Sequence, residues 1–489
     1  MGLFSSIFSF VAKAVAAINP VTAILAVAVG FAVSRSIKKK KAKAAQSAKS
    51  ISGVLVSKTG TNEAIPVVYG ERRIGGVRVF LDNSGTDNVY LHIVEVLCEG
   101  PIQGVRKVFF NDELVGTALA SDTTVDYSAG STDYSGVAAT KIFKGDQTAR
   151  ISSSESLLGQ NPSSNWPSAA VGNNLAYVYT ILKWDQDLFG SGVPNITYTV
   201  EGKKIPGTLG NAHDTGLIYK TNPVFCIYDY LINPLYGKGI EVSSIDAAAL
   251  SGTFYDSANY TAQSVQKTTN SADGNEVRYI MNAVVDTSQP MIDNLEDLLN
   301  NCRGGLITNE KYKFILDKPV DTSSAITIDD NAIVGNITMQ LANKKTLTNR
   351  IKGTFPNAEG SLNFQDDIAI LQNATLKTAD GVDLTQEIVI NSLSSKTQML
   401  RIMNEELNQT RQSTVLECTV DPSKIDVGVF DVVKFTNTTF GQTNKLYRVL
   451  TTILNEDNTV TLNMREYDAN VYWDNNKGII TNNKDDTDH

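Results

Sequence analysis

Residues 91–115 read LHIVEVLCEGPIQGVRKVFFNDELV, and the period of this stretch decides the fold class. From Val89 to Leu97 the side chains follow the two-residue alternation of a strand. Gly100, Pro101 and Gly104 punctuate the run, and Val105–Phe110 resumes it. Asn111-Asp112 is a turn before a short return strand.

The same grammar extends outward. Ile65–Tyr69 and Val77–Leu81 flank a glycine-bounded turn and read as strands. Residues 117–173 are rich in Ser, Thr, Gly, Asp and Asn and read as an irregular insertion. Asn174–Trp184 and Asn195–Glu201 return to strand character, so 63–208 is expected to be one β-barrel or sandwich domain. The pattern then changes. Phe225, Tyr228, Leu231 and Ile232 share one face of a predicted helix at about 222–233, stopped by Pro234. A second short helix is expected from a Ser243 or Ser244 cap. A third, capped by Ser288, points Ile292, Leu295, Leu298 and Leu299 inward, and Gly304-Gly305 stops it. A hairpin follows across Thr308–Lys311, which makes 209–330 an α+β domain. Residues 331–470 read as a second β domain with one helix near 394–410, and 471–489 as a polar tail. The fold class is therefore mainly β with an α+β insertion and a helical N-terminal segment.

The 489 residues carry 43 Lys and Arg against 52 Asp and Glu, for a net charge of −9. All eight charges of the first 50 residues are basic, leaving the remainder at −17. Such a body does not hold nucleic acid, because phosphate affinity follows Lys and Arg density. Residues 14–34 hold no charge, and Arg35, Lys38, Lys39, Lys40, Lys41 and Lys43 follow at once. A secretory signal has its charge ahead of the apolar run, so that reading fails. The 21-residue length suits a membrane span. Pro20 divides the segment into two helices, about 3–17 and 20–45, and its small residues suit bundling or partner docking. Phe4, Phe8, Val11, Val15, Ile24, Val27 and Phe31 are the candidate apolar contacts, and 46–62 is a linker.

Catalytic constellations are absent from the sequence. Asp214-Thr215-Gly216 matches the short aspartic-protease triplet, but that chemistry needs a second carboxylate, so a polar turn is expected. His92, His213 and His489 are scattered, and His92 reads as a satisfied strand histidine. Cys98, Cys226, Cys302 and Cys418 are far apart, without metal-ligand spacing, and read as buried thiols. Asp380, Asp383 and Glu387 lack the order of a calcium loop. Glu296-Asp297 and Glu405-Glu406 are expected on solvent faces of helices. No cofactor, metal or catalytic residue is expected, and a structural protein is.

Five stretches, in chain order, resemble the tail tip attachment protein J and baseplate hub family of lambda-like long-tailed bacteriophages. They are AIPVVYGERRIGG (64–76), the quoted 91–115, NPVFCIYDYLINPLYGKGIEVSSID (222–246), MIDNLEDLLNNCRGGLITNEKYKFILDKP (291–319), and the helix near 396–408 followed by DVGVFDVV (426–433). In the last, Asp431 follows Val429-Phe430 where the family has glycine. The resemblance implies two tail-tube-like β domains per chain and a homotrimeric ring matching a hexameric tube. It implies a virion protein at the distal end of the tail, assembled in the host cytoplasm. Implied partners are tail tube and distal tail proteins, the tape measure protein, fibre or receptor-binding proteins, and DNA in passage. It also gives residues 1–45 a further reading, as a lumen plug, a tape-measure dock or a segment that enters the host membrane. The alternative is a membrane-anchored β-rich adhesin or secretion-related protein.

Overall fold

The computed structural model describes residues 55–473 apart from 60–62, 118–124, 127–131, 154, 269–270, 309, 342–346, 361–362 and 413. The chain is mainly β, and among the described residues no sheet closes into a barrel.

The quoted stretch is the corner of a sandwich. Tyr90–Glu99 lies in a six-stranded sheet, between Val77–Ser84 and Leu175–Lys183. Ile102–Phe110 lies in the facing sheet, between Ile196–Pro206 and Glu113–Thr117. The turn Gly100-Pro101 thus carries the chain from one sheet to the other and does not form a hairpin. Gly100 is required there: a Cβ would press on the backbone of Lys144 and Gly145 at 2.8 Å. Between the sheets lie Ile93, Leu97, Val105, Val108, Val178, Tyr198 and Val200, all buried. Each such side chain contributes roughly 1.5–3 kcal/mol.

The insertion at 117–173 is more ordered than its composition suggests. Ala138–Phe143 pairs with Leu175–Lys183 and extends the six-stranded sheet. Ile151, Leu157 and Trp166 then cover the outer face of that sheet over Val94, Phe143, Tyr177 and Tyr179. Turn-forming residues supply the path, and a few apolar ones supply the attachment.

The helix Pro223–Ile232 sits at the centre of the largest apolar cluster and is buried on almost every side. Asn222 caps it by accepting from the Val224 N–H at 3.0 Å, and Asn233-Pro234 end it. Other helices differ from expectation. Ser243 and Ser244 lie in a short 3-10 turn, Val242–Ser244, and the helix itself is Thr253–Thr261. Only Ala247 packs against the central cluster, Ala248, Ala249 and Leu250 are exposed, and Asp246 accepts from the Thr253 N–H at 2.9 Å. Ser288 does not cap Met291–Asn300, because its own N–H and hydroxyl donate to Asp286. Ile292 is exposed, and Leu298 and Leu299 carry the burial. Gly304-Gly305 begins the strand Gly304–Thr308, which pairs with Tyr312–Leu316 in the expected hairpin.

Lys396–Thr410, capped by Ser395, lies on a three-stranded sheet made by Arg350–Asn357, Gln365–Gln372 and Thr385–Val389. Gly353 lets the helix approach: a Cβ there would collide with Met399 and Met403. This helix and sheet share one apolar cluster with Pro223–Ile232 and Leu298–Phe314. The last six-stranded sheet runs Thr327–Ile328, Val432–Asn437, Gln442–Leu454, Val460–Glu466, Val415–Val420, Thr338–Gln340. Its two edge strands feed the same cluster around Leu416, Val433, Phe435, Tyr447 and Leu462, so the sheet curls over its own core.

Candidate functional site

Polar groups concentrate where the last sheet meets the central core. Asp317 ends the strand pair that begins after Arg303 and is buried. One carboxylate oxygen accepts from Arg448 Nη1 and from the Tyr472 hydroxyl, both at 2.6 Å. The other accepts from Arg303 Nη2 and from Gln409 Nε2 at 2.9 Å. Arg448 also donates to the Lys318 carbonyl at 2.7 Å and lies over the Tyr467 ring, 4.9 Å from its centroid. Arg448 and Arg465 stand directly opposite each other on paired strands, both buried. Like charges in that position repel unless an anion sits between their ends. Burial alone would raise the Asp317 carboxyl, but Arg303, Arg448 and Arg465, with the Tyr472 hydroxyl, hold it far below the carboxylate range.

The helix Lys396–Thr410 adds its polar side to this joint. Glu405 and Glu406, expected in solvent, are buried. They face Arg303 at 3.3 and 3.6 Å. The sequence-based expectation failed because this helix is covered on both faces, one by the three-stranded sheet and one by the joint. Glu405 accepts from the Trp473 N–H at 3.1 Å, and the Trp473 indole donates to the Gln266 carbonyl at 3.2 Å. Tyr467 accepts from the Val320 N–H at 3.0 Å. Residues 467–473 therefore strap the last sheet to the core. Arg303 itself has a φ of +56°, a left-handed backbone position that favours glycine.

A second buried group joins the sandwich to the central helix. Tyr69 and Tyr236 donate to one oxygen of Asp229 at 2.7 and 2.6 Å. Burial raises the Asp229 carboxyl, and the two tyrosine bonds oppose that. Lys203 donates to the Gly100 carbonyl and lies 5.2 Å from the Tyr236 ring centroid.

Among the described residues Ser84 Oγ lies 2.7 Å from His92 Nε2, a serine–histidine nucleophile–base distance. The surroundings assign the wrong tautomer for catalysis. The Tyr179 hydroxyl accepts from the Ser163 N–H at 2.8 Å and lies 3.1 Å from His92 Nδ1. Its own hydrogen goes to Nδ1, so Nε2 carries the imidazole proton and donates to Ser84. Burial lowers the His92 pKa further, against the pull of Asp82. His92 is a buried strand histidine with both nitrogens engaged.

Other sequence candidates fall apart in space. Asp214 lies exposed in a turn. Asp380 binds Arg411 and Asn349, and Asp383 binds Lys377 and Gln372. The four cysteines are buried and unbridged. Among the described residues no group of three or more metal-ligating side chains occurs, and no helix is long and apolar enough to cross a membrane. Phe4, Phe8, Val11, Val15, Ile24, Val27, Phe31 and the basic cluster Arg35, Lys38–Lys41 and Lys43 lie outside the described residues, as does 474–489. Sequence reading missed Arg303, Asp317, Arg448 and Arg465. Only Arg448 carries a signal, a lone charge inside the apolar run LYRVL; Asp317 and Arg465 stand beside a second charge in FILDKP and LNMREY, and Arg303 lies in NNCRGG.

No family model matches the chain. It is 22% identical over 458 residues to baseplate hub protein pb3 of Escherichia phage T5, covering 83% of this chain and 48% of that protein. The chain thus spans about half the length of that relative. Its fold is similar to a chain in the virion of a native gene transfer agent particle, with a TM-score of 0.54 and 14% identity over 89% of this chain and 98% of that one. The comparisons bear out the resemblance to phage baseplate hub and tail proteins drawn from the five stretches.

Proposed function

We propose that this chain is a structural hub protein of a phage or phage-derived tail. It sits at the distal end of the tail in the virion, having assembled in the host cytoplasm. Three copies form a ring that closes the tail tube and later conducts DNA. The ring contacts tail tube and distal tail proteins above and fibre or receptor-binding proteins around it. The observation that carries this reading is the similarity to a baseplate hub over 83% of the chain. The buried carboxylates Asp317 and Asp229 also tie separate parts of the fold together, as a structural part requires. The segment 1–45 docks the tape measure protein or plugs the lumen through Phe4, Phe8, Val11, Val15, Ile24, Val27 and Phe31, and it enters the host membrane when ejection begins.

Cryo-electron microscopy of purified particles tests the proposal. A threefold ring at the tail tip, with residues 1–45 gathered on the axis, is the expected result. A detergent-bound species without threefold order, its N-terminus in the micelle, favours the anchored adhesin and overturns the hub.

A further inference from the structure

The last sheet has an apolar cluster of its own, separate from the central one. The strap that crosses between them packs Tyr467, Val471 and Tyr472 on Val432 and Leu446 of the last sheet, and reaches the core through the hydrogen bonds of Tyr472 and Trp473. Asp317 is fully bonded there, but Glu405 is not. Its Oε2 is buried and makes no hydrogen bond, although Arg303 Nε lies 3.3 Å away and is itself unbonded. Arg303 is shared among three buried carboxylates, and its best geometry goes to Asp317.

We propose that this joint is a primed hinge, in which Asp317 holds the last sheet against the core and ionised Glu405 keeps the strap at 467–473 close to release. A buried carboxylate with one oxygen left without a hydrogen bond destabilises the closed state, although its other oxygen accepts from the Trp473 N–H, and opening returns it to water. Glu405 faces Arg303 and Asp317 from the hairpin, Arg278 and Tyr279 from the preceding segment, and Glu406 on its own helix. Burial pushes its carboxyl up to about 6, against the pull of Arg303 and the Trp473 N–H. A group raised in the closed state binds its proton more tightly there than in the open one. Acid therefore tightens the joint between the ordinary glutamate value, about 4.3, and about 6, and neutral or alkaline pH loosens it.

Hydrogen–deuterium exchange on the full chain, corrected for intrinsic rates, reads this at amides 471–473. In wild type, protection should be higher at pH 5.5 than at pH 8. Glu405→Gln should slow exchange at pH 8 by about tenfold and remove most of the pH dependence. Asp317→Asn should speed exchange of the strap at 467–473 by more than it speeds exchange of 432–466, which loses protection only through the general loss of stability. Equal or faster exchange in Glu405→Gln at pH 8 would mean that the charge helps hold the joint, and the proposal fails. Equal loss of strap and sheet protection in Asp317→Asn would show one cooperative unit and also overturn the hinge.

Discussion

Asp317→Asn is the substitution with the largest expected effect on the described fold. The two side chains have nearly equal volume, so packing is preserved and the perturbation is electrostatic. Oδ1 of the variant still accepts from Arg448 and Tyr472, which reach Asp317 at 2.6 Å. Nδ2 replaces an oxygen that accepts from Arg303 and Gln409, and it sets donors against donors. Three buried guanidiniums then lose their common anion. Removing one partner of a buried pair costs about 3–5 kcal/mol. Urea unfolding followed by far-UV circular dichroism measures the loss over the whole fold, and fluorescence follows Trp473, 2% exposed beside the joint, together with Trp166 and Trp184. The pH dependence gives an independent check. The Asp317 carboxyl is held far below its unfolded value, so its contribution is complete above about pH 4 and is lost as pH falls through the folded value. The difference between wild type and variant should therefore stay constant from pH 8 to about pH 7, above the range in which Glu405, raised in part by Asp317, takes up its proton. A loss below about 1 kcal/mol at pH 7 would refute the reasoning, because it would place the pair in the solvent-screened class.

Gly353→Ala should destabilise by about 1 kcal/mol, because the obstructing atoms are the flexible ends of Met399 and Met403, and Gly353→Val by about 2–3 kcal/mol, because a branched side chain forces the helix off its sheet; equal melting of the glycine and valine forms would sink this account. His92 has a folded pKa below the ordinary histidine value, so stability falls as pH drops below about 6.5 toward the folded value. His92→Gln should flatten that part of the melting profile, and an unchanged slope would show that His92 takes up its proton in place.

The sequence by itself determined the element types and much of their order. Alternation along Val89–Leu97, the apolar face of the helix at 223–232 and the turn residues at 308–311 are local signals, and the elements follow them. The five ordered stretches carried the resemblance to phage hub proteins, because each couples a turn to the strands or helices it joins. Tertiary structure alone decided that the turn Gly100-Pro101 changes sheets, since the partner strands lie about 75 and 100 residues downstream. It alone showed that the helix Lys396–Thr410 shares its apolar face with the central core and its polar face with a buried ion cluster. Glu405 and Glu406 read as solvent-facing because a local pattern records polarity, not what covers it. Arg303, Asp317, Arg448 and Arg465 come from separate parts of the chain, and no spacing rule links them. A buried charge is tolerated only when folding brings its counter-charge to hydrogen-bond distance, and that distance exists in three dimensions alone.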